Sequence, residues 1–121
     1  MTKQQYIERI SELVTDDNKV ERVEKVYGTQ IPNVLKGIIS NCDEPVFFDD
    51  DYRILSLDEI VDAENDLHVD FKIKGIIPIV DCGENDFIVY LYNENIWAMF
   101  NIIDEIVYNK KESLDELLLN I

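Results

Sequence analysis

Gly75-Ile76-Ile77-Pro78-Ile79-Val80, then Asp81-Cys82-Gly83-Glu84-Asn85-Asp86, then Phe87-Ile88-Val89-Tyr90-Leu91-Tyr92 is the stretch that decides the fold. Two runs of β-branched and aromatic residues flank a polar loop containing a glycine, the pattern of a β-hairpin. Both runs are almost continuously apolar, so the pair belongs at the centre of a sheet, covered on both faces. Pro78 has no N–H to offer a ladder and must fall where none is needed.

On the C-terminal side, Asn93-Glu94-Asn95 turns the chain into Ile96-Trp97-Ala98-Met99-Phe100, the next strand. Residues 101–112 fit strand extension or helix equally well by periodicity. Ser113 with Glu116 then makes a capping box for a closing helix carrying Leu114, Leu117 and Leu118. On the N-terminal side, Val46-Phe47-Phe48 and Tyr52-Arg53-Ile54-Leu55 read as short strands separated by Asp49-Asp50-Asp51. Ser56-Leu57-Asp58-Glu59 is a second capping box opening a helix through Ile60 and Val61. The alternation of His68, Asp70, Lys72 and Lys74 with Val69, Phe71 and Ile73 predicts an exposed strand.

The first third is helical by its periodicity. Thr2 with Gln5 caps a helix placing Tyr6, Ile10, Leu13 and Val14 on one face; Val20, Val23, Val26 and Tyr27 mark a second that ends at Gly28. Pro32 opens a third with Leu35, Ile38 and Ile39 inward. Helices at the N-terminus, middle and C-terminus around a central, mostly antiparallel sheet make an α+β fold. A length of 121 residues accommodates one domain, 1–121, and is short for two cores.

Charge separates along the chain. Residues 1–41 hold six acids and six bases, so the whole formal charge of −15 falls in residues 42–121. Between residues 42 and 70 eleven acids face one base, Arg53. Such a field repels phosphate backbones and anionic lipid, which argues against direct nucleic-acid or membrane-surface binding, and it attracts basic proteins. The plainer reading is that the acids only keep the protein soluble. No apolar run approaches the ~20 residues of a membrane span. The polar N-terminus lacks a signal-peptide core, and Cys42 and Cys82 are expected to be free thiols. A cytoplasmic location is the expectation.

The residues that carry chemistry are sparse. His68 is the sole histidine, neither cysteine has a ligand-spaced partner, and no Gly-x-Ser-x-Gly elbow occurs. Asp49-Asp50-Asp51 fails as a calcium loop, because the sixth and twelfth positions counted from Asp49 are Ile54 and Ile60. No metal or cofactor is expected, and no catalytic residue is assigned. Paired carboxylates remain an enzymatic alternative that twenty-six acids make uninformative. As a contact surface the acids need aromatic anchors beside them. The residues nominated for partner binding are Asp49, Asp50, Asp51, Tyr52, Asp58 and Glu59, then Asp81, Glu84 and Asp86, and Trp97. Tyr90 and Tyr92 are further aromatic candidates, and a tryptophan on a central strand reads also as core.

Four stretches together resemble the SUKH superfamily. Gly28-Thr29-Gln30-Ile31-Pro32-Asn33-Val34-Leu35-Lys36, followed by Ile38-Ile39, is similar to its glycine and apolar-proline helix entry. Arg53-Ile54-Leu55-Ser56-Leu57-Asp58-Glu59-Ile60 is similar to its strand and acidic helix. Gly75 to Gly83 is similar to its glycine–apolar–proline strand, and Ser113 to Leu118 to its terminal helix, with Trp97 placed like the tryptophan of a preceding strand. The resemblance spans residues 20–119. Asn41-Cys42 stands where the family often has Asn-Gly, and Glu84-Asn85-Asp86 where its loop is often richer in glycine. The resemblance implies a non-enzymatic immunity protein that binds and blocks a cognate bacterial toxin, often a nuclease. The family's fungal members imply the alternative, a regulatory scaffold for cell-wall synthesis.

Overall fold

A computed structural model describes residues 1–121. Three helices come first: α1 (Lys3–Ile10), α2 (Asp17–Tyr27) and α3 (Asn33–Ser40). Two short strands follow, β1 (Phe47–Phe48) and β2 (Tyr52–Ile54), then the short helices α4 (Leu57–Val61), α5 (Ala63–Leu67) and α6 (Phe71–Lys74). The long strands β3 (Ile76–Asp81), β4 (Asp86–Leu91), β5 (Ile96–Asn101) and β6 (Ile106–Lys111) lead into α7 (Leu114–Leu118). All six strands form one antiparallel meander in sequence order, so the protein is α+β. The hairpin that opened the reading is its centre, with Ile77 opposite Tyr90 and Ile76 opposite Leu91. Its register slips between Pro78 and Val80, a local irregularity in the ladder at the residue that lacks an N–H.

Strands β3, β4 and β5 are buried along nearly their whole length, which requires cover on both faces. Helices α4 and α6 pack on β3, and α7 packs on β5 and β6. One contiguous core results, with Phe48, Phe71 and Phe100 fully enclosed. Each such side chain contributes roughly 1.5–3 kcal/mol through burial. Phe71 meets Phe100 edge-on at 5.9 Å, and Tyr6, Phe48 and Tyr52 stack in series at 5.0 and 5.1 Å.

Two local expectations need correction, and one open segment is decided. The first helix stops at Ile10, and Val14 is 79% exposed instead of facing inward. The connection is pinned to the end of α3: Asn41 Nδ2 donates to the Val14 carbonyl and the Asp16 N–H to Ser40 Oγ, which turns Val14 outward. Residues 66–74 form the end of α5, a short link and α6, not an exposed strand. His68 and Gly75 take left-handed conformations that end α5 and α6, while the Glu64 carboxylate accepts the Lys72 N–H and ties the helices together. Val69 in the link between them and Phe71 at the start of α6 are buried, fall two apart and imitate strand alternation. Residues 101–112, open between strand and helix, form a turn and the edge strand β6.

Candidate functional site

In an antiparallel meander alternate turns emerge at the same end of the sheet. The β1–β2, β3–β4 and β5–β6 turns therefore share one end, and each is acidic: Asp49, Asp50 and Asp51 in the first, Asp81, Glu84 and Asp86 around the second, Asp104 and Glu105 in the third. The second and third turns are knitted together, since Ile102 N–H donates to the Asn85 carbonyl and Asn101 Nδ2 to the Asp86 carboxylate. Asp49, Asp50, Glu84 and Glu105 all have positive φ, between 50° and 61°. Every acidic residue with positive φ lies at this end, whereas the β4–β5 turn at the other end uses Asn95. Glycine or asparagine suits such positions better than glutamate.

Cations cancel part of this charge. Lys3 pairs with Asp49 at 3.8 Å, Lys74 with Glu105 at 3.3 Å, and Arg53 reaches Asp81 at 3.9 Å. Asp50, Asp51, Glu84 and Asp104 have no lysine or arginine within ion-pair distance. An open cleft of ≈ 420 Å³ lies between the first two turns, lined by Asp51, Tyr52, Cys82, Gly83, Glu84, Asp86 and Met99. Register puts Asp86, Asn101 and Ile106 in one row across the sheet, and Ile88, Met99 and Tyr108 in the next, all on the same face. Desolvation, then the neighbouring Asp86 carboxylate, push the Tyr108 phenol up to about 12. Tyr52 and Tyr108 thus flank the carboxylates from opposite sides.

Other nominated residues lie elsewhere. Trp97 is 4% exposed and packs on Tyr90 with ring centroids 5.1 Å apart, so it belongs to the core and is withdrawn as a surface anchor. Asp58 is away from the turns and pairs with Arg22 of α2 at 2.9 Å. Glu59 is bound twice by Arg53, at 2.6 and 2.9 Å, and closes the α4 capping box with the Ser56 N–H. The Arg53 hydrogen bonds hold the Glu59 carboxyl down at about 2, despite its partial burial, as suits a permanent anion in a structural pair. Part of the charge of residues 43–70 is cancelled locally: Lys19 takes Asp43, Arg22 takes Asp58 and Lys72 takes Glu64.

No family model, curated protein or solved structure matches the chain. No three His, Cys, Asp or Glu side chains converge as a metal-ligand set, and no helix is long and apolar enough to cross a membrane. Sequence reasoning missed Asp104, Glu105, Ile106 and Tyr108, because the segment holding them carried no decisive period. The signal available was Ile106-Val107-Tyr108, a β-rich triplet after an acidic pair.

Proposed function

We propose that this chain is an immunity protein that binds a basic bacterial toxin domain one-to-one and blocks it, without making or breaking a covalent bond. The observation that carries the reading is the convergence of three acidic turns on one end of the sheet, with unpaired carboxylates beside Tyr52 and Tyr108. A toxin that cuts nucleic acid needs a cationic cleft for phosphates. Carboxylates held on rigid hairpins compete for that cleft, and their charge, of the same sign as phosphate, keeps nucleic acid away from the inhibitor. Long-range attraction sets a fast, salt-sensitive on-rate, and the aromatic rings slow release once contact is made. The four-part resemblance to the SUKH superfamily supports the same reading.

The test mixes the purified chain with the toxin encoded immediately upstream and follows complex formation and residual toxin activity. A 1:1 complex with activity abolished is expected, its on-rate falling steeply with ionic strength. No complex, together with undiminished killing on co-expression, would refute the proposal; recovery of housekeeping partners instead would favour the scaffold alternative.

A further inference from the structure

The sheet has two edges, and they are treated differently. At one, β1 is two residues long, and the turn after it is tied to the N-terminus through Asp49 N–H to the Met1 carbonyl. At the other, β6 runs for six residues, and the backbone groups facing away from β5 have no partner. Ile103, Ile106 and Tyr108 are 69%, 54% and 40% exposed, which places three of the chain's nine exposed large apolar side chains within six residues of this edge. An open strand edge with exposed apolar side chains is a template for another strand.

The two halves of β6 differ as well. Asn109 has φ 55°, the register slips between the Trp97 and Met99 pairings, and Lys110 and Lys111 follow. A bulge and lysines are the features that blunt an edge against pairing. The first half, Ile106 to Tyr108, has neither, nor has the turn at Asp104 and Glu105 that leads into it. It lies beside Glu105 and the Asp86 row, and Asp104 has no cation of its own. A second copy would set one charge of −15 against another, so self-association through this edge is opposed at long range.

We propose that the β6 edge at Ile106–Tyr108 docks an extended basic segment of a different protein, with Ile106 and Tyr108 as apolar anchors and the carboxylates of the adjoining turns holding its lysines or arginines. This rests on the reading above and deepens it by naming the contact strand.

The probe is a short peptide alternating lysine and phenylalanine, compared with one alternating lysine and serine, titrated into the ¹⁵N-labelled full chain at physiological salt. Expected are tighter binding of the phenylalanine peptide and chemical-shift changes centred on residues 103–108 and 84–86. Ile106→Ser with Tyr108→Ala should weaken binding roughly tenfold, while Phe47→Ser at the opposite edge leaves it unchanged. Both edge side chains are exposed, and circular dichroism verifies that the variants fold; Ile103→Ser serves as a milder second probe. The proposal is overturned by equal affinity for the two peptides, by shifts centred elsewhere, or by sedimentation showing that the edge is occupied by a second copy. If the peptide binds this edge but the upstream toxin does not bind, the immunity reading alone fails. If the toxin binds and the edge variants keep full affinity, the present inference alone fails.

Discussion

Glu84 sits in the middle of three consecutive left-handed residues, with φ of 82° at Gly83, 52° at Glu84 and 69° at Asn85. A Cβ in that conformation costs about 1–2 kcal/mol. Glycine relieves it, less about 0.5–1 kcal/mol for the extra freedom of the unfolded chain. Glu84→Gly should therefore stabilise the fold by about 0.5–1 kcal/mol. With an unfolding entropy of about 2.1 cal/mol/K per residue over 121 residues, the midpoint rises by about 2–4 °C. Calorimetry of the wild type, Glu84→Gly and Glu84→Ala separates the causes, since alanine removes the charge but keeps the strained Cβ. A higher Tm for glycine than for alanine supports the backbone explanation; an equal rise in both assigns the gain to charge relief, and no rise in either refutes the strain. The same two variants should slow association with a cationic partner equally at low salt, because both lack the carboxylate.

The remaining expectations concern the frame that holds the site. Glu59, depressed to about 2 by Arg53, contributes stability that is complete above the ordinary carboxylate range and drains away as pH falls from about 5 towards 2. Its side chain is 38% exposed, so screening leaves about 1–2 kcal/mol, and Glu59→Gln should flatten the acid limb of the stability–pH curve relative to wild type. Unchanged steepness would remove the pair from the explanation. Gly75 has φ +72°, and a Cβ there would lie 2.4 Å from Asn93 Nδ2; Gly75→Ala should destabilise by about 1–3 kcal/mol in urea titration, with relief when Asn93→Ala is added. Tyr27 donates its hydroxyl to the Ile60 carbonyl at 2.6 Å inside the core, so Tyr27→Phe should lower stability by about 1–2 kcal/mol, seen as a lower denaturation midpoint at constant m-value.

The sheet was legible because Ile76–Val80 and Phe87–Tyr92 must be buried on both faces, and only a central hairpin provides that. Capping boxes at Thr2 and Ser56 likewise declared their helices through local chemistry that needs no tertiary information. The failures were tertiary. Val14 turns outward because Asn41 and Ser40, more than twenty residues away, claim the connection. The charge along 43–70 is partly cancelled in space, because the N-terminal bases Lys19 and Arg22 fold back onto Asp43 and Asp58. The acids that do gather come from residues as far apart as Asp49 and Glu105, joined by the up-and-down order of the strands. Spacing along the chain cannot report that proximity. Trp97 was open between core and surface in the sequence, and the packing of β5 decides for the core.

The tie between the N-terminus and the first acidic turn has a practical side. Met1 accepts from Asp49, and Lys3 Nζ bonds both the Asp49 carboxylate and the Ile121 carbonyl oxygen. Both ends of the chain therefore meet beside the carboxylates. A purification tag or fluorescent fusion at either end would hang over that ground, and a polyhistidine or lysine-rich leader would be drawn onto it. Reporters for this protein belong in the β4–β5 turn around Glu94, at the far side of the molecule.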